Sequence, residues 1–162
     1  MQHTISVLVV NQSGVLSRIS GLFSGRGFNI ESLNVAETND PGISRMTIVT
    51  HGDDKKIEQI TKQLNKLIDV IKVIDLTEEH FVDRELILVK MNAEPRVREE
   101  ILRIVDIFRA KVIDVSPDNY TVEITGDEGK TKGFLDLLKP LGIKEIVRSG
   151  RIAIGRGIKS IN

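Results

Sequence analysis

TISVLVVNQSGVLSRISGLFSGRGFNI, residues 4–30, leads from a predicted strand through a turn and a helix into a second strand, and this order of elements indicates the fold. Residues 4–10 are aliphatic and β-branched, which predicts a buried strand, and the turn residues NQSG follow at 11–14. Gly25 and Gly27 stand where the helix should end. The helix itself is predicted by an apolar stripe at helical spacing: Val15, Leu16, Ile19, Leu22 and Phe23.

The rest of the first half completes one supersecondary unit. Strand-type segments at 28–38 and 43–51 flank the turn sequence NDPG, which predicts a hairpin. Asp53 and Asp54 can cap a second helix, and the β-branched segment at 70–76 closes the unit as a strand. The predicted order is therefore βαββαβ.

After a short polar joint the same order of elements begins again, as a repeat of pattern rather than of sequence. A strand at 81–92 leads to Pro95, which suits the first turn of a helix. Two strands around Pro117 come next, and then a helix that should stop at Pro140 and Gly142 before a last strand.

The fold class that follows is α+β, with two consecutive ferredoxin-like βαββαβ sandwiches, each an antiparallel sheet with helices on one face. The predicted domains are 1–77 and 78–162. The tail GRIAIGRGIKSIN, 150–162, either adds an edge strand or stays mobile.

Both parities of the first strand are apolar, with Ile5, Val7 and Val9 on one face and Leu8 and Val10 on the other. We therefore expect both faces of this sheet to be buried, through pairing with another copy or another subunit. A monomer with an apolar open face is the alternative.

The composition excludes several classes of protein. The chain has 162 residues with 23 basic and 23 acidic side chains, and therefore lacks the positive excess that nucleic-acid binding requires. It has no cysteine, which excludes disulfides and thiolate chemistry. We find no basic and apolar leader and no run of eighteen apolar residues, so we expect a soluble, cytoplasmic protein without a signal peptide.

The sequence shows no recognisable catalytic or metal-binding motif. His3, His51 and His80 lie far apart at the edges of elements, and a surface position is expected for each. The tail approaches the phosphate-binding pattern GxxxxGK[ST], but Arg156 stands where the lysine must be.

The positions of the glycines narrow the choice of ligand. A dinucleotide fingerprint places three glycines between strand and helix, whereas here only Gly14 lies at that junction. Amides at the start of the helix suit a smaller anion such as a carboxylate, and Asn11 can orient an ammonium or amide group. An ordinary turn before a helix, with no ligand, explains the same residues equally well.

Four segments carry a resemblance to a known family: LSRISGLFSGRGFNIESLNVAET at 16–38, DPGISRMTIVT at 40–50, FRAKVIDVSPDNYTVEITG at 108–126 and VRSGRIAIGRG at 147–157. Over essentially its whole length the chain resembles the small regulatory subunit of acetohydroxyacid synthase, also called acetolactate synthase. The resemblance implies that 1–77 is an ACT domain for effector binding and dimerisation, and that 78–162 is a C-terminal ferredoxin-like regulatory domain.

The resemblance also implies a non-catalytic partner of an enzyme that condenses pyruvate with pyruvate or 2-oxobutyrate, the first common step toward valine, leucine and isoleucine. Thiamine diphosphate, magnesium and FAD would belong to the large catalytic subunit. This chain would raise that subunit's activity and confer feedback inhibition, usually by valine. An ACT-type amino-acid sensor that controls another enzyme or transcription is the alternative, although the sequence shows no helix-turn-helix and no basic stripe. An enzyme in its own right is the other competitor.

In such subunits ACT domains pair as a homodimer, and the effector lies between the loop after the first strand of one copy and the start of the second strand of the other. The implied effector-binding residues are Asn11, Gly14, Val15 and Leu16 from one copy, with Asn29 and Ile30 from the other. Amides near Gly14 can bind the carboxylate, and the apolar side chains can surround a branched side chain.

The apolar parity of the second strand shifts within NIES, residues 29–32. A bulge or a late strand start there would turn Asn29 and Ile30 toward a neighbour. An irregular parity without structural meaning is the alternative.

Overall fold

The computed structural model describes residues 1–157, 160 and 161. It divides into two units, which are Met1–Val82 with the tail from Arg151 onward, and Asp83–Gly150. The predicted domains place that tail with the rest of 78–162, whereas its contacts group it with the first unit. Among the described residues, no helix is long and apolar enough to cross a membrane.

The first unit has the predicted order of elements. They are β1 (Gln2–Val10), α1 (Val15–Gly25), β2 (Ile30–Glu37), β3 (Ile43–His51), α2 (Asp54–Leu64) and β4 (Val70–Asp75). The strands lie in the order β2-β3-β1-β4, and every neighbouring pair is antiparallel. This arrangement is the ferredoxin-like sandwich that the sequence predicts.

The core of the first unit lies between the sheet and its two helices, because helical stripes at i, i+4 and i+8 meet every second residue of the strands. Each large aliphatic or aromatic side chain buried in this way stabilises the fold by about 1.5–3 kcal/mol. The buried residues of this core are Ile5, Val7, Val9, Val15, Ile19, Phe23, Phe28, Met46, Ile48, Ile57, Ile60 and Leu64.

The second unit repeats the same topology, and this confirms the second predicted sandwich. Its elements are β5 (Phe81–Asn92), α3 (Arg98–Ile107), β6 (Lys111–Val115), β7 (Asn119–Gly126), α4 (Glu128–Gly142) and β8 (Ile143–Arg148). The order is β6-β7-β5-β8, again antiparallel throughout. Helix α4 contains Pro140 in its last turn and ends at Gly142. The core residues are Ile87, Val89, Met91, Ile101, Ile104, Val105, Val122, Ile124, Phe134 and Leu138.

The tail lies on the face of the first sheet that the helices do not cover. Arg151 Nη1 donates to Thr4 Oγ1 at 3.1 Å, and Asn34 Nδ2 donates to the Arg151 carbonyl at 3.1 Å. Arg45 Nη2 donates to the carbonyl of Ala153 at 3.1 Å, and Ala153 is buried. These bonds explain why the tail groups with the first unit.

Part of the tail forms the predicted strand, β9 (Ile152–Gly155). Residues 158, 159 and 162 of the predicted tail lie outside the described residues. Both faces of β1 are buried, as predicted, from His3 to Val9. The tail covers part of the sheet face that lies opposite the helices. Pairing of this face with another copy stays a prediction.

The expected surface position of His3 is wrong, because its side chain is only 4% exposed. It shares the helix-facing parity of Ile5, and its Nδ1 lies 3.0 Å from Asp75 Oδ2 at the end of β4. The start of α2 adds the carboxylate of Asp54 on the other side of the ring. The sequence could not show that these elements end at the same place.

Candidate effector-binding site

The turn at 11–14, between β1 and α1, is held by the turn between β2 and β3. The Asn11 amide donates to the Gly42 carbonyl at 2.8 Å. The side-chain Nδ2 of Asn11 donates to the Pro41 carbonyl at 2.9 Å and to Glu37 Oε1 at 3.3 Å. Both hydrogens of that amide therefore have acceptors, and Oδ1 is the atom that can accept from a ligand ammonium group.

Gly14 caps the N-terminus of α1 in the left-handed conformation, with φ 86° and ψ −15°. Most residues with a Cβ are strained in that conformation, so the backbone favours glycine there. No side chain caps the helix, and the first-turn amides lack acceptors within the helix. The turn therefore presents N–H groups to solvent.

The charge at the start of α1 differs from that of the other helices. Helices α2 and α4 begin with Asp53 and Asp127, whose side chains accept from backbone amides, and α3 has Glu99 and Glu100 in its first turn. Helix α1 has no acidic residue in its first turn. Its positive end is thus not compensated by its own sequence, which suits a bound anion.

Val15 and Leu16 follow Gly14 but face opposite ways. Val15 is 3% exposed and belongs to the core, so it can offer a ligand its backbone amide and not its side chain. Leu16 is 44% exposed, and its side chain is available to an apolar ligand. The predicted apolar wall on this side therefore reduces to Leu16.

Asn29 and Ile30 mark the start of β2, which begins at Ile30. The pairing of β2 with β3 shifts register between Ile30 and Ser32, so both the late strand start and the predicted irregularity are confirmed. Thr50 Oγ1 donates to the Asn29 carbonyl at 2.7 Å, which fixes the backbone, while the Asn29 residue is exposed.

The predicted effector-binding residues form two surfaces, the turn surface at 11–16 and the strand surface at 29–30. These surfaces lie at opposite ends of the same sheet. Val10, just before the turn, pairs with Ile43, and Ile30 pairs with Thr50 at the other end of β3. The distance along β3 is about 23 Å at roughly 3.3 Å per residue. One chain therefore cannot bring both surfaces onto one small ligand, and a shared site needs a second copy.

Glu31 adds a negative charge beside Asn29 and Ile30, at the start of β2. Partial burial acts to raise its pKa, but hydrogen bonds from His51 and Gln2 and the nearby positive charges of His51 and Arg151 outweigh burial and lower the pKa below its usual value. The carboxylate is thus ionised at neutral pH, and a ligand ammonium group would be attracted to it.

The sequence did not identify Arg18 as part of this region. Its Nε and Nη2 both donate to Asp69 Oδ2, at 3.0 Å and 2.5 Å. Its Nη1 lies 3.0 Å from the position that a Cβ on Gly14 would occupy. Asp69 stands far along the chain, so no local pattern could have revealed this pair.

Two family models match the chain. The model described as an AHAS small subunit-like ACT domain matches residues 5–72, and the model described as small subunit of acetolactate synthase matches residues 84–157. Together they cover most of the chain.

Individual proteins match over nearly the full length. The chain is 54% identical to the probable acetolactate synthase small subunit of Archaeoglobus fulgidus, over 98% of this chain and 99% of the other. It is 55% identical to the acetolactate synthase small subunit of Aquifex aeolicus, over 96% of this chain and 81% of the other. A crystal structure of the acetolactate synthase small subunit from Thermotoga maritima matches with a TM-score of 0.87 and 43% identity, over 97% and 98% of the two chains.

Proposed function

The chain belongs to the family of acetolactate synthase small subunits, and from this premise we propose that it stimulates the catalytic large subunit and makes it sensitive to valine. In this proposal the large subunit holds thiamine diphosphate, magnesium and FAD and carries out the condensation in the cytoplasm. The small chain supplies regulation in valine, leucine and isoleucine biosynthesis.

The observation that carries the proposal is the open turn at the start of α1. The left-handed Gly14, the uncapped amides and the absence of a first-turn acid among the described residues suit a carboxylate. The α-carboxylate of valine would accept from the Val15 and Leu16 amides. Its isopropyl group would contact the exposed Leu16 side chain, and Asn11 Oδ1 would accept from its ammonium group.

A second copy completes the site in this proposal. Asn29 and Ile30 of the chain lie too far from its own turn, so they would face the effector held by a homodimeric partner. Glu31, ionised beside them, would favour the effector's ammonium group.

Acetolactate formation tests the proposal when three samples are compared: this chain alone, the large subunit alone, and the mixture with and without valine. We expect no product from this chain, a higher rate from the mixture than from the large subunit, and loss of that gain with valine. Product from this chain alone would overturn the non-catalytic assignment. A mixture no faster than the large subunit, or insensitive to valine, leucine and isoleucine, would instead favour an ACT-type sensor with another target.

A further inference from the structure

We propose that Arg18 is a further effector-binding residue, which donates its Nη1 to the effector's carboxylate, and that Asp69 is the residue that positions it. This inference rests on the effector site proposed above and adds the group that recognises the ligand's negative charge. Nothing in the local sequence distinguishes Arg18 from an ordinary surface arginine.

The guanidinium of Arg18 is held in one orientation. Both Nε and Nη2 of Arg18 donate to a single oxygen of Asp69, which fixes the plane of the guanidinium. Nη1 has no acceptor among the described residues, and it lies against Gly14. The remaining donors of Arg18 are therefore directed to the turn where the carboxylate is expected.

Asp69, which holds the guanidinium, is itself firmly placed. Its side chain is only 15% exposed, compared with 50% for Arg18. Its carbonyl accepts from the Val10 amide at 2.8 Å, which ties the residue to the end of β1 beside the turn. An anchor that is mostly buried and held by this backbone hydrogen bond fixes the arginine more closely than a mobile surface carboxylate could.

The pair of Arg18 with Asp69 contributes little to the stability of the fold. An ion pair whose arginine is half exposed adds little to the free energy of unfolding, and a cation near the N-terminus of a helix opposes the helix dipole. Helix α1 nevertheless places Arg18 in its first turns and has no acid in its first turn. Binding of an anion explains why a cation and no acid stand at this helix start, because the guanidinium and the backbone amides can then donate hydrogen bonds to the same negative charge.

The ligand class follows from this chemistry. A guanidinium N–H and uncapped amides together recognise an ionised carboxylate, so an α-amino acid should bind far better than its carboxamide. Valinamide has the shape and the ammonium group of valine but no negative charge. The preference for valine over valinamide therefore reports directly on Arg18.

The experiment is calorimetric titration of the full chain with valine and with valinamide, for the wild type, Arg18→Gln, Arg18→Lys and Asp69→Asn. Arg26→Gln is the matched control, because Arg26 is an exposed arginine at the opposite end of the same helix. The double variant Arg18→Gln with Asp69→Asn removes both charges and leaves no unpaired carboxylate. Circular dichroism checks that each variant is folded.

We expect Arg18→Gln to weaken valine binding roughly ten- to hundredfold, with little change for valinamide. Arg18→Lys and Asp69→Asn should lose less, and Arg26→Gln should match the wild type. Valine binding by Arg18→Gln at wild-type affinity would overturn the inference and leave the proposed function intact. An equal loss for valine and valinamide would assign Arg18 a structural role only. A wild type that does not bind valine would overturn the proposed valine site itself.

Discussion

The turn after β1 and the turn after β5 occupy the same place in two copies of one topology, but they are closed in different ways. Each begins alike, because the first residue past the strand donates its amide to the neighbouring hairpin turn at 2.8 Å: Asn11 to Gly42, and Ala93 to Asp118. In the second unit the side chain of Arg98 then occupies the turn. Its Nε and Nη2 donate to the carbonyls of Ala93 and Pro117, at 2.7 Å and 2.5 Å.

The helix starts differ as well. Helix α3 is preceded by Val97 with φ −113°, an ordinary conformation, and carries two glutamates in its first turn. Helix α1 is preceded by a left-handed glycine and carries no acid there. The ferredoxin-like fold therefore forms without an open turn, which means that the open turn of the first unit needs a reason other than folding. Effector binding is that reason in our proposal.

Gly14→Asp should have the largest effect of the variants below, because it closes the turn after β1 with a negative charge. Aspartate tolerates the left-handed conformation better than most residues, so the chain should still fold. Its carboxylate would meet Arg18 and repel the effector's carboxylate. We expect valine inhibition of the reconstituted enzyme to be abolished while its activity is kept, a loss of affinity of roughly a hundredfold or more.

Gly14→Asn is the matched control for that variant, because asparagine has nearly the same shape without the charge. It should retain more valine sensitivity than Gly14→Asp when the two inhibition curves are measured side by side. Full sensitivity of Gly14→Asp would show that the turn does not hold the effector.

Asn29→His should weaken the valine response from the other end of the sheet, by roughly tenfold, since a coupling of about 1–3 kcal/mol changes affinity by that order. The Asn29 side chain is exposed and its backbone is held by Thr50, so the fold should be unaffected. Unchanged valine affinity, measured by calorimetry, would argue against a site shared between copies.

Mixing Gly14→Asp chains with Asn29→His chains tests more directly whether the site is shared between two copies. In a symmetric dimer with two shared sites, a mixed pair concentrates both changes in one site and leaves the other intact. We therefore expect partial recovery of valine binding in the mixture over either variant alone. A mixture that follows the average of the two variants contradicts the shared site.

Arg98→Gln tests the closed turn of the second unit. It removes two hydrogen bonds to backbone carbonyls and should lower the free energy of unfolding by about 1–2 kcal/mol, with valine inhibition unchanged. Urea denaturation and the reconstituted assay measure the two effects. Arg96→Gln is the control, because Arg96 is exposed and forms a surface ion pair with Glu94. A changed valine response in Arg98→Gln would show that the second turn also takes part in regulation.

Substitutions at the C-terminal ends of α1 and α3 should change the free energy of unfolding least. After α1, Gly27 has φ 73° and Phe28 donates its amide to the Phe23 carbonyl, whereas after α3 the equivalent left-handed residue is Arg109, with φ 54°. Arg109→Gly should relieve that strain and raise the free energy of unfolding by about 0.5–1 kcal/mol, as measured by urea denaturation. Gly27→Ala should have the opposite sign. A destabilised Arg109→Gly would mean that the arginine side chain contributes more than the backbone strain costs.

Periodicity predicted most of the fold, because it reports directly on which residues face a core. The spacing of Val15, Ile19 and Phe23 gave helix α1, and the broken parity of NIES gave the irregular start of β2. The same patterns could not show that Val15 turns its side chain into the core while Leu16 stays exposed, since both are apolar neighbours.

Features that depend on distant residues could not be predicted. Arg18 meets Asp69 only because the start of β4 lies beside the end of β1 in the folded sheet. Similarly, the predicted domains placed the tail with the rest of 78–162, whereas its contacts group it with the first unit. Its place on the first sheet depends on side-chain bonds from Arg45 and Asn34.

The return of the chain to the first unit at Arg151 changes how the protein can be dissected. A gene fragment that ends at residue 77 or 82 lacks the segment whose Arg151 side chain donates to Thr4 and whose Ala153 carbonyl accepts from Arg45, so it should be sensitive to proteases. A synthetic peptide of residues 151–157, added in trans to residues 1–82, should bind and slow the digestion. The second unit is in this sense an insertion within the first, and a single cut in the polar joint at 77–80 should leave the two fragments associated on a native gel.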